Sequence, residues 1–127
     1  MSEKESSREP SGVTLAELQS QLRAFNQQRD WGQYHNPRNL AMALSVESAE
    51  VLELYLWSKD QGPQPPVASR VDKVPHELAD VLICLLNLAE HAQVDLASAF
   101  QEKLVINADK YPASKVAGRM EKYSEYE

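Results

Sequence analysis

The chain has a single cysteine, Cys84, only four glycines and two phenylalanines among its 127 residues, and no long apolar run. One thiol cannot close an intrachain disulfide, so nothing in the sequence calls for an oxidising compartment. The longest apolar stretch, LADVLICLLNLAEHA from Leu78, is too short and too interrupted to span a bilayer. Basic residues are the scarcer charge, 13 against 19 acidic, which leaves a net charge of -6. That balance argues against nucleic acid or an anionic membrane as a partner. The opening MSEKESSREPSG has no apolar core of the kind a secretory signal carries, so a cytoplasmic protein is the expectation. The apolar–polar alternation of a half-buried strand is missing as well.

What is present is enough for a folded globular chain: 43% of residues are apolar and 25% charged. The length suits one domain. Composition predicts a disordered tail over 1–12, a folded domain over 13–112 and a flexible tail over 113–127. Thr14 and Glu17 form a T-x-x-E capping box ahead of Leu15, Leu18, Leu22 and Phe25, so a first helix is expected from Leu15 to Asp30. WGQYHNP then reads as a turn. Asn36 and Pro37 start a second helix, running from about Arg38 to Trp57 or just beyond. The glycine and prolines of SKDQGPQPPVASRVDKVP make a loop. A third helix opens near Pro75 and runs to about Gln93. Asp95 caps a fourth, which stops at Tyr111 because Pro112 follows. The expected class is all-α, with four main helices.

The second helix is apolar, yet Glu47, Glu50 and Glu53 recur in it at every third position. At 100° per residue, Glu47 falls within about 60° of Leu40, Leu44, Val51 and Leu54, in the middle of the apolar stripe. The third helix repeats the spacing with Glu77 and Asp80 and is apolar nearly all round, which predicts a buried helix between other helices or subunits. A buried carboxylate needs a counter-charge. Arg38 and Lys73 are too few for four acids. Two carboxylates from each of two antiparallel helices make an oxygen-rich site suited to Mg²⁺ or Mn²⁺. HELAD lacks the second histidine of the zinc-protease H-E-x-x-H, and neither acid pair has the histidine of a di-iron Glu-x-x-His, so zinc and iron fit less well.

E-x-x-E, then 26 residues from Val51 to His76, then E-x-x-D resembles the signature of the MazG-like nucleoside triphosphate pyrophosphohydrolases. RDWGQYHNPRNLAMAL, ESAEVLELYLW, ELADVLICLLNLA and KLVINADKYP resemble the dCTP pyrophosphatase branch of that family. The likeness covers about Leu15 to Pro112. It implies a MazG-like four-helix bundle that assembles as a dimer or dimer of dimers and cleaves the α–β phosphoanhydride of a nucleoside triphosphate, dCTP or a modified dCTP. It implies Glu47, Glu50, Glu77 and Asp80 as Mg²⁺ ligands, and Trp31, His35 and Trp57 as pocket residues. Related dCTP enzymes carry histidine and tyrosine where this chain has Leu22 and Cys84, so those contacts do not transfer.

Helical geometry adds detail. Trp57, seven residues past Glu50, would project on nearly the same face about 10 Å along the axis, where an indole could stack on a base. Cys84, four residues from Asp80, would share the carboxylate face. Lys103, Asn107, Lys110 and Tyr111 form one polar stripe on the fourth helix, a candidate clamp for phosphates. Glu47 and Glu50 are the expected catalytic residues, with Glu47 the preferred base because apolar surroundings raise a carboxylate's pKa. The competing reading is a noncatalytic helical module for nucleotide sensing or assembly, which would have no need of four converging acids.

Overall fold

The structure, a computed structural model, describes residues 9–57 and 70–118. Among them every regular element is helical: α1 (Leu15–Gln28), α2 (Pro37–Glu53), α3 (Val74–Ala92), α4 (Leu96–Lys110) and the single turn α5 (Ala113–Val116), with 3-10 turns at Trp31–Tyr34 and Val71–Lys73. No single helix among the described residues is long and apolar enough to cross a membrane. The proline-rich stretch of the expected loop lies mostly outside the described residues.

Local chemistry sets the helix starts. The Thr14 hydroxyl accepts from the Glu17 N–H at 3.2 Å and donates to the Glu17 carboxylate at 3.1 Å. The Asn36 side chain accepts from the Asn39 N–H at 2.8 Å, with Pro37 following it. Asp95 accepts from the N–H groups of Ala97 and Ser98 and from the Ser98 hydroxyl. These bonds hold its carboxyl below the usual range, the Ser98 hydroxyl first among them. Each such cap is worth about 1 kcal/mol to its helix.

The ends are less local. α1 stops at Gln28, and Asp30 takes a left-handed φ of 51° that turns the chain into the first 3-10 segment. α2 stops at Glu53 rather than at Trp57. Leu54, Tyr55 and Leu56 bond only three residues back, tightening the last turn, and Trp57 adopts a left-handed φ of 62°. The Arg70 guanidinium then donates to the Glu53 carbonyl at 3.0 Å and the Leu56 carbonyl at 2.8 Å. A cation on the free carbonyls at a helix end satisfies both hydrogen bonding and the helix dipole. Gln93 ends α3 with φ 57°, and the Val94 N–H reaches back to the Ala89 carbonyl.

Packing is concentrated where α2 lies along α3, with α1 resting on α3 and α4 taking little part. Arg70 against Glu53, and Glu77 and Asp80 against Glu47, show that α2 and α3 run antiparallel. Among the described residues, the buried apolar ones are Leu40, Leu54, Leu86 and Ala89. Each leucine removed from water contributes roughly 1.5–3 kcal/mol. Arg23 and Glu90 tie α1 to α3 through bonds of 2.8 and 3.0 Å, and Asn26 donates to Asn87 at 2.9 Å beside them. The ion pair is about half exposed, so solvent screens much of its attraction.

The expected burial of α3 on all sides is not seen in one chain. Leu86 and Ala89 are covered, but Leu78, Leu82, Ile83 and Leu85 are exposed. α4 leaves at 98° to the direction of Val71–Ala92. It carries Phe100, Leu104, Val105 and Ile106 to the surface.

Candidate metal and nucleotide site

The antiparallel register of α2 and α3 sets their acid pairs opposite each other. One carboxylate oxygen each from Glu47, Glu77 and Asp80 lies within 4.8 Å of the others. Glu47 and Glu77 are half-buried, and Asp80 is exposed. Asp80 therefore does not sit in the apolar surroundings expected for it, because α3 is uncovered on that side. Glu47 does sit on the apolar stripe, between the buried Leu40 and Leu54.

Glu50 belongs to the same electrostatic unit. Contact with the Glu47 carboxylate, and then its charge, pushes the Glu50 carboxyl above the usual carboxylate range. Loss of water raises Glu77, and the neighbouring Glu50 and Asp80 raise it further. One oxygen of Glu47 and one of Glu77 are buried without a hydrogen-bond partner. The charge of Lys73, at the start of α3, offsets Glu77 only in part, and the Arg23–Glu90 salt bridge involves none of these acids. Buried acceptor oxygens without donors are costly in a native fold. Hard oxygen donors converging from two helices, with Lys73 a partial counter-charge to four acids, fit a divalent cation such as Mg²⁺. Glu53 continues the spacing but is exposed and stands outside the converging set.

The remaining expected residues are placed unequally. Cys84 is half-buried beside the acids. Burial first, then the charges of Glu47 and Asp80, push its thiol up, so it stays protonated and is a poor nucleophile. Trp31 meets Phe25 edge to face at 5.5 Å, and the Arg29 guanidinium lies 3.7 Å over that phenyl ring. His35 is half-buried and lines a cavity with Gly32, Leu22, Asn26 and Asn87. Trp57 is 89% exposed. Since α2 ends four residues before it, a helical projection from Glu50 does not describe where Trp57 points.

On α4, Lys103 and Lys110 are exposed while Asn107 and Tyr111 are half-buried. Within one chain this stripe is remote from the acids. Ala92 lies twelve residues beyond Asp80, about 18 Å along α3, and α4 then departs nearly at a right angle. Asn26 lines the same cavity as His35 and has no motif of its own in the sequence. It stands four positions past Leu22 on α1.

A family model described as the MazG-like family matches residues 42–126. The chain is 40% identical to human dCTP pyrophosphatase 1 over 88% of its own length and 67% of that protein. It is 37% identical to the bovine dCTP pyrophosphatase 1, covering 68% of it. The crystal structure of a pyrophosphatase from Archaeoglobus fulgidus superposes with a TM-score of 0.68 at 34% identity, over 82% of this chain and 97% of that one. With the acid pairs of α2 and α3 inside or alongside the matched blocks, this chain belongs to the MazG-like family.

Proposed function

We propose that this protein is a cytoplasmic Mg²⁺-dependent nucleoside triphosphate pyrophosphohydrolase, acting on dCTP or a modified dCTP. The observation that carries this reading is the convergence of Glu47, Glu77 and Asp80, joined by Glu50, against which Lys73 supplies only a partial counter-charge. The relatives named dCTP pyrophosphatase and pyrophosphatase support the reaction class.

Water adds across the α–β anhydride: its oxygen joins the α-phosphorus, and the bond to the bridging oxygen breaks. The products are the nucleoside monophosphate and pyrophosphate. Glu47, Glu50, Glu77 and Asp80 would hold Mg²⁺ (or Mn²⁺), which would supply positive charge against the phosphates and lower the pKa of water. Glu47, on the apolar stripe, and Glu50 orient the attacking water, and one carboxylate accepts its proton. No covalent nucleophile is needed, in keeping with a protonated Cys84. Trp31, His35, Trp57 and Cys84 supply the walls that hold the nucleoside.

The clamp on the phosphates comes from a second copy. Lys103, Asn107, Lys110 and Tyr111 are too far from the acids of their own chain, while the exposed Phe100, Leu104 and Val105 give α4 an apolar face to bury. Self-association as a dimer or dimer of dimers would bring one chain's stripe to the other's carboxylates.

The test is pyrophosphate release from a panel of dNTPs, NTPs and 5-modified dCTPs with Mg²⁺. Release from dCTP or its modified forms is expected, with turnover abolished in Glu50→Gln. No release from any nucleotide would overturn the assignment.

A further inference from the structure

Beyond the carboxylates, between α1 and α3, lies a cavity of about 360 Å³. Clefts of this size accept small molecules. Leu22 and Leu86 give it apolar walls, and His35 stands at one side. Its lining also holds the half-buried pair in which Asn26 Nδ2 donates to Asn87 Oδ1 at 2.9 Å.

A carboxamide offers two N–H donors and an oxygen that accepts twice. The bond between the two asparagines is the one hydrogen bond made by either side chain among the described residues. The pair therefore keeps an acceptor and donors in reserve, side by side, in a partly dry cleft. This is the complement of a heterocyclic ring edge that carries a donor next to an acceptor. The position fits too. Asn87 is seven residues past Asp80, so it lies on the same face of α3 about 10 Å along the axis. A nucleotide whose phosphates meet the carboxylates would extend its base toward this cleft.

We propose that Asn26 and Asn87 are the specificity-determining pair, reading the hydrogen-bonding edge of the substrate's base. The inference rests on the nucleotide reading given above. A purely structural pair would fix how α1 sits on α3 and would leave base preference alone.

The decisive variant is the double substitution Asn26→Ala with Asn87→Ala, which removes both partners and strands neither. For the preferred dNTP, kcat/KM should fall roughly 5- to 150-fold, carried mainly by KM. For the poorest dNTP it should change less than about twofold, so discrimination collapses. Unchanged ratios between dNTPs would overturn the proposal while leaving the pyrophosphohydrolase reading intact. A second measurement needs neither turnover nor the variant's stability. In the wild-type chain without metal, the assigned side-chain amide signals of Asn26 and Asn87 should shift on adding millimolar deoxynucleosides. Shifts in a chain that releases no pyrophosphate would uphold the amide site and sink the hydrolase reading. No shift with any of the four deoxynucleosides would sink the amide site.

Discussion

Replacing Glu47 with glutamine should push the metal-free and the Mg²⁺-bound protein in opposite directions. The substitution keeps the size of the side chain and removes one negative charge from a group whose oxygens lie within 4.8 Å of one another. Between Glu47 and the exposed Asp80, the repulsion at that distance is about 0.9 kcal/mol at the dielectric of water. A domain of this size gains roughly 4–8 °C in Tm per kcal/mol, so the metal-free variant should melt roughly 4–7 °C above wild type. With Mg²⁺ at about a hundred times its dissociation constant, wild type gains about 2.7 kcal/mol, or roughly 11–22 °C. Losing one charged ligand and about tenfold in affinity halves that gain. Thermal melts of both proteins with and without Mg²⁺ give all four values. If the metal-free variant melts below wild type and its Mg²⁺ shift is undiminished, Glu47 is a packing residue and the cluster has been misjudged.

Three further outcomes follow from the same structure. Because Glu50 and Glu77 are raised in the fold, the native state holds their protons to higher pH than the unfolded chain does. Metal-free stability should thus decline as pH rises from the ordinary carboxylate range towards neutrality, and Mg²⁺ should reverse that slope in a pH series of melts. Val105→Glu, at a position 71% exposed on α4, should leave the chain folded but shift its sedimentation towards monomer and lower turnover at low protein concentration; an unchanged sedimentation profile would remove α4 from the interface. Leu86→Ala, at 3% exposure, should cost about 2–5 kcal/mol and lower Tm by about 10 °C or more, which calorimetry checks directly.

The parts of this fold that are local chemistry could be read in advance. Thr14, Asn36 and Asp95 bond backbone groups two or three residues away, so their helices start where a cap signal stands. The pairing of Glu47 and Glu50 with Glu77 and Asp80 was legible because i, i+3 spacing puts each pair on one side of its helix. The end of α2 was not. Its apolar pattern runs on to Trp57 without glycine or proline, and the stop is accompanied by a cation 17 residues away from Glu53. Apolarity around α3 tells which faces avoid water, not which partner covers them, and within one chain Leu78, Leu82, Ile83 and Leu85 are exposed. For the same reason the course of α4 and the meeting of Asn26 with Asn87, 61 residues apart, have no short-range signature.

The grip of Arg70 on the last carbonyls of α2 has a consequence for how this domain can be enlarged. Two bonds from one guanidinium bring Arg70 to the point where the chain leaves α2 after Trp57, so the two edges of the intervening segment meet at the rim of the domain. The register between the end of α2 and the start of α3 is thereby held by described residues at the two edges themselves. Lengthening a flexible connection is in general cheap, about 0.6 kcal/mol for each doubling. This junction is where a reporter domain or an extra module could be grafted while the carboxylates, a few turns away, keep their alignment.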